Sequence, residues 1–206
     1  VEKKSKVKNT ADPCPIGAKM IEMPNEGDLL IAPPNIPDTK FRNSVLLMTH
    51  DDKGGSLALC LNKPSEYTTS DILDKLDLGF EMNLNFPLYW GGPISPTTVW
   101  MLHERGWEME GTIDINNEWC MTSSMKMFAH LADGDMPNHF RLLFGFCSWA
   151  PEQLKAELRG MPPWSKRHSW LVAKNPGPEW IMEAPVNELW RLTTELSGHQ
   201  AVDDWL

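Results

Sequence analysis

Arg42, Asn62 and Lys63 are side chains able to donate hydrogen bonds to an oxyanion. Each sits at the end of an apolar run or in a turn, where a scaffold commonly carries its binding residues. Gly91-Gly92-Pro93 occupies a comparable place further along. Glycines bring backbone N–H groups close to a ligand, and arginine or lysine pairs with its charge. Arg42, Asn62, Lys63, Gly91 and Gly92 therefore form one candidate ligand-binding set, suited to a small anion. The competing reading is turn geometry with a solvated rim. Gly-Gly-Pro lacks the Gly-Lys-Ser/Thr ending of a phosphate-binding P-loop.

Nucleophilic catalysis needs an activated nucleophile with a base in reach. Cys147-Ser148-Trp149 stands just before a predicted helix start, a position that lowers a thiol pKa, with His103 or His139 as the base. No Gly-x-Ser-x-Gly elbow accompanies it. A buried structural thiol explains Cys147 more simply, so no residue is assigned a catalytic role and the reading leans away from an enzyme. The six histidines show no His-x-x-x-His or His-Glu-x-x-His spacing, and no metal or cofactor is assigned. His50 and His103 are expected to finish strands and donate to carbonyls.

Glu152 and Glu157 are five residues apart, too far round a helix to act as a carboxylate pair. Gln153 and Glu157, at i and i+4, make one polar contact surface. Most of the ten tryptophans fall in the second half of the chain, among them Trp149, Trp164, Trp170, Trp180, Trp190 and Trp205. Indoles fill cores, and they also anchor protein interfaces. Trp149, Gln153, Glu157, Trp164 and Trp205 are the candidate partner-binding residues. The final segment 201–206 is a further aromatic anchor, and an unidentified protein partner is expected.

The elements that must position these residues follow from local pattern. Asp28 to Ala32 reads as a strand closed by Pro33-Pro34. Ser44–His50 and Ser56–Asn62 flank Asp51-Asp52-Lys53-Gly54-Gly55 and form a β-hairpin. Helical spacing covers Thr68–Leu78, with Thr69 or Ser70 as cap and Asp71 in the first turn. A loop over 79–87 leads to short strands at Leu88–Trp90 and Val99–His103. Turn signals fill 104–112, and 113–121 reads as extended. A helix over Ser123–Ala132 stops near Gly134. Phe140–Phe146 is a strongly apolar strand. Pro151 opens the next helix and Gly160 ends it. Trp164–Ala173 is extended, and Pro185 opens a last helix ending at Gly198. Strands outnumber helices without regular βαβα alternation, which predicts an α+β fold with a mixed, largely antiparallel sheet. Residues 1–26 read as an extension without its own core, docking on its own domain or on a neighbouring chain. Residues 27–206 form the domain.

The chain has 206 residues and a formal charge of −9, with pI near 5.1. Within residues 1–12, Lys3, Lys4, Lys6 and Lys8 outweigh Glu2 and Asp12 to give +2, so the remainder carries −11. A body so acidic argues against a direct grip on DNA phosphates. No apolar run reaches the ~18 residues of a membrane span, and the N-terminus shows no secretory h-region. Cys14, Cys60, Cys120 and Cys147 form no Cys-x-x-Cys, which fits free thiols in the cytoplasm or another reducing compartment such as an organelle stroma.

Three blocks carry a resemblance. The first holds Asp38, Phe41, Arg42, Ser44, His50, Gly55, Asn62 and Pro64. The second is Gly91-Gly92-Pro93-Ile94, followed by Leu102-His103. The third runs from Phe144 to Leu154, with Glu157 and Trp164 after it. In order and spacing they resemble the YqgE/AlgH family (UPF0301) over about residues 27–206. The resemblance implies one α+β domain whose sheet folds into a pseudo-barrel ringed by helices, and a loosely regulatory role without agreed chemistry. Relatives usually read like Gly-Trp-Gly-Pro-Gly-Gln-Leu-Glu in the third block. This chain has Ser148-Trp149-Ala150-Pro151-Glu152-Gln153-Leu154-Lys155. If those glycines let a ligand approach the backbone, this chain has changed that site.

Overall fold

Leu29, Leu30 and Ile31 are all fully buried, so the three-residue strand they form, β1 (Leu29–Ile31), has a core on each face. Side chains alternate across a strand. Leu29 and Ile31 accordingly enter one apolar cluster, while Leu30 enters another. The computed structural model describes residues 23–75, 84–159 and 170–203.

β1 pairs antiparallel with β2 (Val45–Asp52), which turns into β3 (Gly55–Cys60). The Asp52↔Gly55 pair leaves Lys53-Gly54 as a two-residue loop, and Asp52 Oδ1 accepts the Gly54 N–H at 2.6 Å. Next come β4 (Pro64–Thr68), α1 (Thr69–Lys75), β5 (Pro87–Trp90) and β6 (Ile94–Glu104). Then follow β7 (Thr112–Asp114), β8 (Trp119–Thr122), α2 (Met127–Ala132), β9 (Phe140–Trp149) and α3 (Gln153–Arg159). β10 (Leu171–Ala173), α4 (Pro178–Glu183) and α5 (Leu189–Asp203) complete the described fold.

The main sheet runs β10-β1-β2-β3-β9-β6-β8-β7. β4 pairs with β5, and β5 joins β9 in parallel; all other pairings are antiparallel. Ala173 of β10 and Trp119 and Met121 of β8 stand near opposite ends of this order, yet they share one core with Leu47, Leu59, Leu102 and Leu143. The sheet therefore curls into a half-barrel around that inner core, and Ile181 of α4 and Leu189 of α5 pack into it. Two outer cores lie on the opposite face. Leu154 and Leu158 of α3 cover Leu30, Leu46, Ala58 and Cys147. Leu73 of α1 and Met127, Phe128 and Leu131 of α2 cover Leu88, Met101 and Leu142. The fold is the mixed, largely antiparallel α+β architecture that the sequence predicts.

β9 is the hinge of this plan. Residues 142–144 pair with β5 on one side, and residues 147–149 pair with β3. Between them Gly145 adopts φ 70°, a left-handed conformation that glycine reaches without a Cβ clash.

Several element boundaries differ from expectation. The 113–121 segment is two strands, β7 and β8, because Asn116 turns the chain by accepting the Glu118 and Trp119 N–H groups. The residue before α1 is Thr68, whose N–H and hydroxyl both donate to Asp71. The Thr69 and Ser70 hydroxyls instead donate to Leu84 O. The last helix starts at Leu189 rather than Pro185 and runs past Gly198 to Asp203. Ser197 donates to Val172 O, and Gln200 exchanges two hydrogen bonds with the Lys174 backbone, which holds the helix beyond its glycine. Gly134, at φ 77°, does end α2, with Asp135 N–H reaching back to His130 O. The expected Gly160 stop and residues 164–169 of the expected extended segment lie outside the described residues.

Candidate functional site

The fold brings Arg42, Asn62, Lys63 and Gly91 to one corner beside the junction of β3 and β9, where their polar groups hold main chain. Asn62 Oδ1 accepts the Val45 N–H at 2.9 Å, and its Nδ2 donates to Asn43 O at 2.8 Å. Lys63 Nζ donates to Arg42 O at 2.6 Å, while Arg42 Nε donates to Ile36 O at 3.4 Å. The run from Ile36 to Val45 is thus stapled to the end of β3. The Gly91 N–H donates to Phe144 O, and Gly91 O accepts from Cys60 N–H. A Cβ on Gly91 would stand 2.5 Å from Gly145 O, and one on Gly92 would stand 2.1 Å from the Phe146 carbonyl carbon. Two backbones cross here with no room for a side chain between them.

Trp149, Gln153 and Glu157 meet on the outer face of the same sheet. The Trp149 and Trp170 indole N–H groups both donate to Glu157 Oε2 at 3.2 Å, and Gln153 Nε2 donates to Glu157 Oε1 at 2.9 Å. The two indoles pack edge-on, 6.1 Å between centroids, and Phe41 stands edge-on to Trp170. α3 supplies this arrangement because Leu154 and Leu158 bury its inner side and leave Gln153 and Glu157 on the rim. Beside it opens a groove of about 290 Å³, lined among others by Ile36, Asp38, Phe41, Ile94, Trp149 and Trp170. Asp38 and Glu157 both line it, and among the described lining residues there is no lysine or arginine. A carboxylate offers about four lone-pair positions. Among the described residues, Glu157 uses three of them internally and retains acceptor capacity.

Glu152, where the family resemblance leads one to expect glycine, sits at φ 62° just before α3. The position demands a left-handed residue, and the side chain is tolerated because it is exposed and pairs with Lys155 at 2.7 Å. Ser148 and Ala150 are likewise exposed. Trp164 and Trp205 lie outside the described residues.

Among the described residues, Cys147 has no base beside it. Its thiol is buried, donates to Gly91 O, and burial pushes its pKa well above the ordinary thiol value. His103 pairs with Phe140 at the far end of β9, roughly 20 Å of strand away, and His139 precedes that end. Burial likewise pushes the Cys60 and Cys120 thiols up to about 11.

His103 is fully buried, and burial lowers its pKa, so the ring is neutral. Its Nδ1–H donates to Glu104 O at 2.8 Å, as the sequence leads one to expect. Its Nε2 accepts from the Thr122 hydroxyl, which in turn meets Thr112. His50 does not donate to a carbonyl: it stands exposed between the carboxylates of Glu26 and Asp52. His139 Nδ1 meets Glu104 Oε2 at 2.8 Å. The Glu104 hydrogen bond raises the His139 pKa. Burial pushes Glu104 up, but hydrogen bonds from the His139 ring and from the His139 and Asn138 N–H groups outweigh it and leave its pKa lowered. Among the described residues, no group of three His, Cys, Asp or Glu side chains is placed to hold a metal ion. No helix there is long and apolar enough to cross a membrane.

Sequence reasoning passed over Phe41, Asp38 and Trp170 as groove residues. It also passed over Arg141, an arginine inside an apolar strand run, which was the available signal.

The AlgH-like family model (DUF179) matches residues 29–201. A UPF0301 protein of Sphingopyxis alaskensis is 30% identical over 177 residues, covering 85% of this chain and 90% of that protein. Another, from Nitrosospira multiformis, is 31% identical over 169 residues, covering 81% and 86%. Among solved structures, AlgH from Pseudomonas aeruginosa superposes with TM-score 0.66 at 23% identity, over 82% of this chain and 86% of that one. A Corynebacterium diphtheriae protein does so with TM-score 0.62 at 20% identity, over 82% and 85%. At these identities the two structures carry the fold alone.

Proposed function

This chain belongs to the AlgH-like (UPF0301) family, and on that premise we propose that it is a non-enzymatic protein-contact module whose outer groove receives a basic segment of a protein partner. One observation carries the reading. The groove combines Phe41, Trp149 and Trp170 with the carboxylates of Asp38 and Glu157, and among the described residues that line it none is cationic. Aromatic faces and carboxylates both attract a guanidinium or ammonium group. Among the described residues, the Asp38 side chain receives one hydrogen bond, from the Lys40 N–H of its own turn to Oδ1. The net charge of −9 adds long-range attraction for a basic partner. Ile94, 42% exposed at the rim, offers an apolar contact for the flanking residues of such a segment.

The test uses three hexapeptides matched in apolar residues and carrying Arg, Gln or Glu at the centre. The arginine peptide is expected to move the Trp149 and Trp170 indole N–H signals in an NMR titration. Glu157→Gln, which retains a carbonyl acceptor but removes the charge, should weaken it about tenfold. Equal responses to the arginine and glutamate peptides, or unmoved indole signals, would reject the reading.

A further inference from the structure

Arg141 of β9 is 6% exposed, and its polar environment is unbalanced. Nη1 donates to Leu61 O at 2.8 Å, and the guanidinium carbon stands 5.0 Å from the centroid of the Tyr89 ring. Among the described residues it has no other hydrogen bond and no carboxylate partner. A guanidinium has five N–H donors, so four have no partner there. Buried cations are ordinarily paired, because removing a charge from water is costly unless an opposite charge replaces the solvent.

The surroundings repeat the same deficit. Arg141 alternates with Leu143, so both face the inner core, opposite Leu102 and Trp100 of β6. Tyr89 of β5 lies opposite Leu143 on the other side. Among the described residues, the Trp100 and Trp119 indole N–H groups are buried without a partner, and both residues belong to or pack against this inner core. Arginine and indole nitrogens only donate. The two indole nitrogens are buried unmatched donors of a kind native interiors seldom leave, whereas the free Arg141 nitrogens are not sealed from solvent and stay open to a ligand. Tyr89 and Trp100 are half-buried rather than sealed, which leaves an approach from solvent.

We propose that the inner face of the half-barrel binds the carboxylate of a small organic acid on Arg141, with the acid's apolar body against Tyr89 and Trp100. A single guanidinium balances one negative charge, and its planar fork matches a carboxylate through two parallel hydrogen bonds. A phosphate dianion would remain half neutralised. The flanking aromatic rings suit a carbon skeleton rather than a second charge. The site is separate from the proposed peptide groove, which opens on the opposite face of the sheet beside Cys147 and Trp149.

Benzoate is the probe, with neutral benzamide and inorganic phosphate as controls, applied to the full chain at about 20 mM, well above a millimolar dissociation constant. Benzoate is expected to raise Tm by about 3 °C and to move the Trp100 indole N–H signal. Benzamide and phosphate should do neither. Arg141→Met keeps the volume and removes the buried charge. It should fold and lose the benzoate response. Equal responses to benzoate and benzamide, a response that survives in Arg141→Met, or no response to benzoate would each overturn the proposal. Should Arg141→Met fail to fold, the contrast between benzoate and benzamide at the Trp100 signal of the unmodified chain decides the matter.

Discussion

Two stretches along β9 use glycine-marked positions in opposite ways. At the crossing of Gly91-Gly92 over Gly145, the constraint is space. Added Cβ atoms would meet backbone at 2.5 Å on Gly91, 2.1 Å on Gly92 and 2.3 Å on Gly145. At the turn from β9 into α3, only a few residues further on, the constraint is the backbone angle alone. Glu152 satisfies φ 62° with an exposed side chain. The crossing joins the two halves of the sheet and keeps its glycines. The turn borders the proposed groove and carries Ser148, Ala150 and Glu152, where the family resemblance leads one to expect glycine. Forbidden volume resists substitution, whereas a strained angle costs about 1–2 kcal/mol and is tolerated. The changed turn has not dismantled the groove wall either: Trp149, Gln153 and Glu157 remain joined by hydrogen bonds.

The sharpest way to break this comparison is Gly92→Ala. It is expected to cost about 4 kcal/mol or more, or to prevent folding, because the obstacle is backbone of β9 and not a side chain that can rotate away. Urea denaturation checks it, and a loss below about 1 kcal/mol would show that the crossing can open. Asn62→Ala tests the staple beside the crossing. It orphans the Val45 N–H and the Asn43 carbonyl and should cost about 2–3 kcal/mol in the same assay. Glu152→Gly tests the turn in the opposite direction. It should stabilise by about 0.5–1 kcal/mol, since relief of the left-handed strain exceeds the weak exposed pair with Lys155. Destabilisation by Glu152→Gly would mean that the glutamate contributes more than its angle costs.

The smallest effect belongs to the other end of β9, where the His139–Glu104 pair ties that strand to β6. His139 is raised by Glu104, so its contribution is complete below the ordinary imidazole range near 6.5 and fades as pH rises through the raised value. Glu104 is lowered, so its contribution fades at the acid end as pH falls through that lowered value. His139→Gln should flatten the alkaline fall in stability between about pH 6 and 8 while leaving the groove's indole NMR signals in place. An unchanged pH profile would remove the pair from the account.

The hairpin was legible because Asp-Asp-Lys-Gly-Gly is a local turn signal, although its loop is Lys53-Gly54 rather than all five residues, and Gly134 was legible as a helix stop for the same reason. Asn62 was visible as a polar residue at a strand end. Its partners, Asn43 and Val45, are 19 and 17 residues distant in sequence, so its use as a backbone staple was not visible. Gln153 and Glu157 were legible as a shared helical face. Trp170 completes their network from beyond α3, and no local pattern announces that contact. α4 was missed although Gly177-Pro178 opens it, because six residues are too few for periodicity to register.

Composition and alternation determined that this chain would form a mixed α+β fold with a buried, largely antiparallel sheet, since apolar runs separated by turns have few other ways to remove themselves from water. Gly91-Gly92 stood out in the sequence as a glycine pair, read as part of an anion site or as turn geometry. Tertiary structure alone decided what passes there, a second strand of the same sheet. It also decided which carboxylate would receive the two indoles, and that Arg141 would be buried facing the inner core. Those outcomes depend on the curl of the sheet, which brings together side chains far apart along the chain, and local spacing cannot encode such meetings.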